Sequence, residues 1–287
     1  MDLMRKIYTI TEYYGDPRIK PFFLMDGPFY MLGITAIYLA FCLWIGPAIM
    51  SNRKPFKLHR TLRAYNILQV IICTWYTISG LVLIYNLDSN FFCEPLNSRT
   101  DYYNMQVLTY HWYYFVIKVI VLFWSFQVLT YHWYYFVIKI LDLLDTVFFV
   151  LRKKNSHITF LHLYHHSMVV ICAWSATKFM PGAQASLIGL LNSFVHVCMY
   201  SYYYVASLGP KYRKYTGWKI WVTRLQIAQF LILFVHNSVA LLINCAFPKP
   251  GLILMLAQSI ILLYLFGNFY IKTYTVKCPL FDQKKGE

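Results

Sequence analysis

The chain contains a series of apolar runs, each long enough to cross a lipid bilayer. About 20 helical residues, at ~1.5 Å each, span the hydrocarbon core of a membrane. Such runs lie at residues 28–50, 64–86, 158–178, 184–207, 220–245 and 252–274, and a longer apolar region covers 102–151. No Gly/Ser-rich linker or low-complexity tract separates them. The sequence therefore predicts an all-α polytopic membrane protein with one membrane-embedded domain over residues 1–287.

The composition agrees with a membrane protein. Hydrophobic residues make up 59% of the 287 residues and charged residues 13%, about half the ~25% of an ordinary soluble domain. The net charge of +15 is better explained by basic cytosolic loops than by a nucleic-acid surface, so we expect no nucleic-acid partner. Seven cysteines without paired short spacings do not predict a zinc or disulfide scaffold.

Loop charges predict the orientation of the spans. Basic residues are concentrated in 51–60, 152–154, 209–219 and the tail, whereas the intervening loops carry one cation each: Arg99, Lys178 and Lys249. The positive-inside rule then places the tail (275–287) in the cytosol and the N-terminal segment (1–27) in the lumen. Four cations in the N-terminal segment count against this assignment, but the other segments favour it.

Thirteen residues occur twice without a single change, at Gln106–Lys118 and at Gln127–Lys139. Ancient repeats diverge, so this identity indicates a very recent tandem duplication or an assembly error, and we favour the error. The charge pattern requires an odd number of crossings between residues 102 and 151, so the two copies cannot both span the membrane. Only the second copy continues into charged residues at helical spacing. We therefore take the second copy as functional and expect the first copy, or the linker after it, to be an anomalous extra segment.

Two carboxylates lie inside an apolar run. Of the eleven acidic residues only Asp142 and Asp145 do so, after Lys139 in the string KILDLLDT. A charge within a membrane is costly unless it is partnered, which makes these residues functional candidates. Helical spacing places Lys139, Asp142 and Thr146 on one face. The alternative is a salt-bridged packing seam between Lys139 and Asp142.

Three histidines lie on one side of the next predicted helix. His162, His165 and His166 form the string HLYHH, and three imidazoles on one face of a membrane helix favour function over a core role. Later helices add two polar stripes, of which the second by itself also fits interhelical hydrogen bonding. The stripes are Asn192, His196, Met199, Tyr200 and Tyr203, and then Thr223, Gln226 and Gln229.

The histidine cluster does not predict a metal site. Membrane di-iron enzymes need more His ligands than this chain groups together, and five of the nine histidines stand alone. No Cys lies nearby at metal-binding spacing. We therefore expect no metal and no other cofactor. Clustered neutral imidazoles beside a carboxylate then favour proton transfer or nucleophilic attack.

Four segments resemble the signature motifs of the ELO family, the elongases of very-long-chain fatty acids. They are KILDLLDT at 139–146, HLYHH at 162–166, NSFVHVCMYSYYY at 192–204 and TRLQIAQ at 223–229. The resemblance covers nearly the whole chain. The family's first motif usually reads Lys-x-x-Glu-x-x-Asp-Thr, and here Asp142 replaces the Glu. Members of the family also lack the 21-residue insertion.

The resemblance implies seven transmembrane helices, six of which enclose a hydrophobic tunnel. It also implies condensation of malonyl-CoA with a long-chain acyl-CoA, with loss of CO2 and CoA, to give a 3-oxoacyl-CoA. By motif position, His165 would be the nucleophile of an acyl-histidine intermediate, assisted by His196. His162, His166 and Asp145 would orient these rings. The implied substrate- and CoA-binding residues are Lys139, Asp142, Asn192, Tyr200, Tyr203, Gln226 and Lys214.

An elongase of this family is expected in the endoplasmic reticulum membrane. Its implied partners are the lipid bilayer, the other enzymes of the elongation cycle and a second copy of the chain. Lys284 and Lys285 match a cytosolic retrieval signal, although a basic tail after a last helix is also common. In this topology Cys93 and Cys245 alone lie in lumenal loops or helix ends, where oxidising conditions permit them to pair.

A transporter or receptor with an intramembrane Asp/His proton relay is the alternative function. Seven spans and buried ionisable residues would serve it equally well. The sequence lacks inverted repeats and broken helices, and a transporter leaves the grouping of the histidines unexplained. The preferred acyl-chain length is not readable from the sequence.

Overall fold

The computed structural model describes residues 2–86, 93, 128–209, 211–212 and 217–275, and every regular element in these ranges is helical. In chain order the helices are α1 (Asp2–Tyr14), α2 (Phe29–Ala40), α3 (Gly46–Met50), α4 (His59–Asn86), α5 (Val128–Asp142), α6 (Leu144–Leu151), α7 (Phe160–Phe179), α8 (Ala183–Ser207), α9 (Lys219–Leu242) and α10 (Lys249–Tyr270). A π-helical turn at Phe41–Ile45 joins α2 to α3, and a second at Ile271–Thr275 extends α10.

From α2 onward the helices coincide with the predicted apolar runs to within a few residues, whereas α1 lies in the N-terminal segment, where no run was predicted. The largest difference is at α4, which begins at His59 rather than at residue 64. Of the long apolar region at 102–151, the structure describes residues 128–151. Two helices begin with residues that favour a helix start. The hydroxyl of Thr159 accepts a hydrogen bond from the amide of His162 at the start of α7, and Pro250 lies in the first turn of α10.

Four helical segments among the described residues are long and apolar enough to cross a membrane. They are Phe29–Met50, His59–Tyr85, Lys219–Leu242 and Lys249–Thr275. The chain is therefore a multi-pass membrane protein. Helices α7 and α8 are of similar length, but the three histidines of HLYHH in α7 and the polar residues of α8, which include Asn192 and His196, lower their mean hydropathy.

The long helices pack in a closed order. Contacts run in the sequence α4, α8, α9, α10, α7, α5 and back to α4, and α5 and α8 also contact each other, so that α4 packs against this pair. Helix α2 packs outside this ring against α7, and α3 packs against α6. The aromatic rings of Tyr76 on α4 and Tyr131 on α5 stack with their centroids 4.1 Å apart, and both side chains are almost fully buried.

A tight turn at Leu143 interrupts the helical path between α5 and α6. The amide of Leu143 donates to the carbonyl of Ile140, a hydrogen bond over three residues rather than four. Residues three apart become nearly eclipsed in such a turn. The turn therefore brings Asp142 and Asp145 to the same side, where both approach the hydroxyl of Tyr200.

Lys178 is not the loop cation that the sequence predicted. Its side chain is only 1% exposed and donates to Oε1 of Glu12 at 2.6 Å and to the carbonyl of Met25 at 3.1 Å. The amide of Asp16 also donates to the carbonyl of Lys178. This buried lysine was miscounted as a loop charge because its partner lies far away in the sequence. It attaches α1 and the turn before α2 to the end of α7.

Some predicted features fall outside the described residues. These are the first copy of the repeat, Lys214 and the lysines of the C-terminal tail. The second copy forms α5 from Val128 onward. The structure also contains a disulfide between Cys93 and Cys245, whose Cα atoms lie 5.4 Å apart.

Candidate active site

Two cavities lie among the long helices and share part of their walls. The polar cavity is lined by residues of α6 to α10 that include Asp145, His162, His166 and His196. The apolar cavity is lined mainly by aliphatic side chains and methionines of α7, α8, α9 and α10. Four residues line both cavities: His165, Asn192, Gln229 and Phe230. His165 therefore lies where the two cavities meet.

All three histidines of HLYHH line the polar cavity. Nε2 of His162 lies 2.8 Å from the hydroxyl of Thr146, which is itself 2.8 Å from the hydroxyl of Tyr38. The ring of His166 lies between its neighbours, with centroids 4.3 Å from His162 and 5.5 Å from His165. Within the described part of the chain, no group hydrogen-bonds to the ring of His165. The ring of His166 has no hydrogen bond there either, but His165 is the histidine that lines both cavities.

A buried ion pair lies behind the wall of the polar cavity. Nζ of Lys139 is 2.7 Å from Oδ2 of Asp142, and each side chain is 2% exposed. Nδ1 of His196 is 3.5 Å from this ammonium and 3.3 Å from the same carboxylate oxygen. The ring nitrogen on the other side, Nε2, is then left for the polar cavity that His196 lines.

The hydrogen-bond geometry favours one tautomer of His196. Lys139 Nζ meets the requirements of a donor to Nδ1, whereas Asp142 is close to Nδ1 without a well-aligned hydrogen bond. We assign the ring proton to Nε2 on the basis of this network. His196 thus presents an N–H donor to the polar cavity.

The other oxygen of Asp142 is bound from two further helices. Oδ1 accepts a hydrogen bond from Nε2 of Gln69 on α4 at 2.9 Å. The hydroxyl of Tyr200 on α8 lies 3.2 Å from Oδ1 and 2.7 Å from Oδ2 of Asp145. Both carboxylate oxygens of Asp142 therefore have hydrogen-bond partners, as a buried charge requires.

One end of the polar cavity is basic. Ser156, His157 and Lys219 line it there, in or next to the loops that precede α7 and α9. Partial burial, together with the positive charges of Lys154 and Lys219, lowers the pKa of His157 below its usual value. An anionic group entering this end would meet cationic side chains.

The structure divides the predicted site residues into two groups. Those that line the polar cavity are His162, His165, His166, His196, Asp145, Asn192, Tyr203 and Gln226. Lys139, Asp142 and Tyr200 are fully buried and line neither cavity, so the geometry favours a positioning role for them. Asn192 also accepts a hydrogen bond from the hydroxyl of Tyr135.

Sequence reasoning missed several residues of the site. Gln69 and Tyr65 lie on a helix without a polar stripe, so no pattern distinguished them from ordinary span residues. Lys219 was counted only as a loop charge, although it lines the polar cavity. Among the described residues, no group of three or more His, Cys, Asp or Glu side chains is arranged to hold a metal ion.

Comparison with known proteins identifies the family. The sequence model of the ELO family, described as the GNS1/SUR4 family, matches residues 23–279. A very long chain fatty acid elongase of Aedes aegypti is 36% identical over 279 residues, covering 95% of this chain and 71% of the relative. Very long chain fatty acid elongase 4 of Homo sapiens is 34% identical over 269 residues, covering 94% and 79%.

A third relative, very long chain fatty acid elongase 7 of Drosophila melanogaster, is 34% identical over 265 residues, covering 91% of this chain and 73% of the relative. The family match extends over nearly the whole chain and agrees with the four motifs that form the site. The chain belongs to the ELO family, and it is a membrane enzyme of fatty acid elongation.

Proposed function

We propose that this protein is the condensing enzyme of fatty acid elongation, a very-long-chain 3-oxoacyl-CoA synthase. It joins malonyl-CoA to a long-chain acyl-CoA and releases CO2 and CoA, leaving a 3-oxoacyl-CoA two carbons longer. The observation that carries the proposal is the position of His165, whose free ring lines both a polar cavity and an apolar one. An acyl-CoA is divided in the same way at its thioester, with a polar nucleotide on one side and an apolar alkyl chain on the other.

The two cavities suit the two ends of an acyl-CoA. The basic end of the polar cavity, with Lys219 and His157, would bind the CoA phosphates, and Tyr203, Gln226 and Asn192 offer hydrogen bonds further in. Lys214, which lies between α8 and α9 in the sequence and outside the described residues, is a further phosphate-binding candidate. The acyl chain would occupy the apolar cavity, where burial of each CH2 contributes about 0.8 kcal/mol.

The length of the apolar cavity indicates the length of the chain it accepts. Lining residues recur every three or four positions along α7, from His165 through Met168, Cys172 and Ala176 to Met180. This stretch of helix is about 22 Å long. An extended alkyl chain advances ~1.25 Å per bond, so about 18 carbons fit between the two ends.

The first half-reaction is acylation of His165. A ring nitrogen attacks the thioester carbonyl, so that a C–N bond forms and the C–S bond breaks. The departing thiolate takes up the proton that the ring loses and leaves as CoA. Acyl-imidazoles form and transfer readily, and a ring without hydrogen bonds keeps its lone pair available.

The second half-reaction is decarboxylative condensation. Malonyl-CoA loses CO2 as a C–C bond breaks, and the electron pair forms an enolate. The enolate carbon attacks the acyl group, the new C–C bond forms, and the C–N bond to His165 breaks as the ring takes up one proton from solvent, which is the proton that the overall reaction consumes. Nε2–H of His196, held by Lys139 and Asp142, would donate to the enolate oxygen as negative charge develops there.

The membrane topology is part of the same proposal. Seven helical spans form one domain in the endoplasmic reticulum membrane, with the N-terminal segment in the lumen and the C-terminus in the cytosol. Six of them, α4, α5–α6, α7, α8, α9 and α10, would surround one tunnel, and all of these except α4 contribute lining residues to the two cavities. The basic end of the polar cavity then opens to the cytosol, where acyl-CoA and malonyl-CoA are supplied.

A direct assay tests the proposal. Protein purified in detergent is incubated with C18 acyl-CoA and malonyl-CoA labelled at its free carboxyl carbon, and labelled CO2 and the C20 3-oxoacyl product are measured. Release of both, dependent on both substrates, is the expected result. Decarboxylation without acyl-CoA, or no product from correctly inserted protein at any acyl length, would overturn the proposed reaction.

A further inference from the structure

Gln69 on α4 contacts the site from a helix outside the four motifs. Its side chain is 1% exposed, and its amide nitrogen lies 2.9 Å from Oδ1 of Asp142 and 2.9 Å from the hydroxyl of Tyr65. Both hydrogens of the amide are therefore used. The orientation of the amide is fixed, because exchanging its nitrogen and oxygen would place Oε1 against a carboxylate oxygen.

Of the two groups near Oδ1 of Asp142, Gln69 is the one that donates a hydrogen bond to it whichever carboxylate the hydroxyl of Tyr200 binds. The other group near this oxygen, the hydroxyl of Tyr200, is closer to Asp145 (2.7 Å) than to Asp142 (3.2 Å). A hydroxyl has one hydrogen to donate and cannot serve both carboxylates at once. If Tyr200 donates to Asp145, Gln69 alone supplies a hydrogen to Oδ1 among the described residues.

The position of Oδ1 decides where Oδ2 lies. The terminal torsion of an aspartate is broad, so its carboxylate turns unless both oxygens are held. Oδ2 contacts Lys139 at 2.7 Å, and the ammonium of Lys139 in turn lies 3.5 Å from Nδ1 of His196. A carboxylate turned away from this geometry would carry the flexible lysine side chain away from His196 with it.

We propose that Gln69 is a positioning residue for His196, acting through Asp142 and Lys139. By holding Oδ1, it keeps the ion pair beside Nδ1, so that the proton of His196 stays on Nε2 and faces the polar cavity. This role rests on the proposed function, in which His196 serves the decarboxylative step and His165 the acylation step. Gln69 therefore supports the second half-reaction and not the first.

The test separates the two half-reactions in the purified full-length protein. The variant Gln69→Met keeps the length and approximate volume of the side chain and removes both donors. Acylation is followed by mass spectrometry with acyl-CoA alone, and condensation by release of labelled CO2 after malonyl-CoA is added. Losing one hydrogen bond to a charged group should slow condensation about tenfold, while the amount and rate of acyl-enzyme formation stay at the wild-type level.

Two further variants complete the experiment. Gln69→Asn keeps an amide but withdraws it by about one C–C bond, ~1.5 Å, and should show the same selective loss even if Gln69→Met does not fold. Thr77→Val on the same helix removes a hydroxyl whose hydrogen bond, among the described residues, goes to the carbonyl of Cys73 within α4, and it should leave both half-reactions unchanged.

The possible outcomes are distinct. Condensation at the wild-type rate in both Gln69 variants, or a parallel loss of acylation and condensation, would overturn the positioning role. A wild-type protein that forms no acyl-enzyme would instead remove the proposed function, and with it the role of Gln69.

Discussion

Lys139 and Asp142 form an ion pair of 2.7 Å in which each side chain is only 2% exposed. The two residues lie one turn apart near the end of α5, and the pair faces His196 of α8. Loss of either charge alone would destabilise the protein, because the remaining partner would be left unpaired in an apolar bundle. The pair is thus a salt bridge within the helix packing, as the sequence allowed, and it also lies in contact with His196.

Removing one member of the pair should cost more stability than removing both. We expect Lys139→Met or Asp142→Leu alone to destabilise the protein by about 3–5 kcal/mol, and the double variant to be close to the wild type in stability. The free energies of unfolding of the wild type, the two single variants and the double variant in detergent form a double-mutant cycle that measures this coupling. Asp2→Asn, which breaks the exposed pair of Asp2 with Lys6, should change stability little. Additive single effects would show that the pair is not coupled.

The double variant should nevertheless fail in condensation. Without Lys139 and Asp142, nothing described beside Nδ1 holds the ring of His196 in its present tautomer. We expect condensation to fall at least a hundredfold, within the range that a positioned proton donor contributes, while the acyl-enzyme still forms. Full condensation activity in a stable double variant would remove the ion pair from the mechanism.

His165→Ala should abolish both acylation and condensation. No other histidine among the described residues lines both cavities, so no neighbouring imidazole is placed to take over. Mass spectrometry of protein incubated with acyl-CoA alone measures the adduct. His59→Ala, at an exposed histidine at the start of α4, is the control and should acylate normally. Acyl adducts persisting on the His165→Ala protein would assign the nucleophile elsewhere.

Met180 and Gly251 should set the acyl length from the far end of the apolar cavity. Met180, Ala185 and Met255 close this end, near the termini of α7, α8 and α10. A Cβ added at Gly251 would collide with Sδ of Met180. Gly251→Ala should therefore push the flexible methionine into the cavity and shift the preferred substrate to shorter chains, whereas Met180→Ala should shift it to longer ones.

A competition assay with acyl-CoAs from C12 to C24 measures this length preference. The control is Gly33→Ala, because a Cβ at Gly33 meets no atom within 4 Å. Unchanged length profiles in both variants, with condensation intact, would place the end of the acyl site elsewhere. A shift of both variants in the same direction would do so as well.

The disulfide between Cys93 and Cys245 should form in the membrane-inserted protein. It links residues 152 positions apart, and closing such a loop contributes about 5 kcal/mol in the chain-entropy model. Alkylation of the denatured protein before and after reduction counts the free thiols, with the buried Cys73 as an internal reference. Reaction of both Cys93 and Cys245 without reduction would contradict the pairing.

Deleting Val119–Lys139 should give a protein at least as active as the full chain and more stable. The deletion joins Lys118 to Ile140 and regenerates the string KILDLLDT behind a single copy of the repeat. It also removes a 21-residue apolar segment, which would be about 31 Å long as a helix. This segment cannot add a further membrane crossing, because the charge pattern requires an odd number of crossings. Activity and thermal stability in detergent are compared. Lost activity in a correctly inserted deletion variant would make the repeat a functional element.

The sequence by itself determined the helices and the chemistry that they carry. Apolar runs of membrane length predicted α4 and α7 to α10 to within a few residues, because burial of a whole span depends on local composition and length. Helical spacing also placed His162, His165 and His166 on one side, since the phase of an α-helix is fixed by its own geometry. The motifs that these residues form were enough to indicate the family.

Only the tertiary structure decided which side chains meet. The sequence did not show that α4 packs against α5 and α8, so Gln69 had no visible link to Asp142, and Tyr200 was expected to bind substrate rather than to lie between two carboxylates. Nor did it show that Lys178 is buried against Glu12, or that the turn at Leu143 brings Asp142 and Asp145 together. Helical phase is a local property, whereas the choice of neighbouring helices results from packing summed over many side chains.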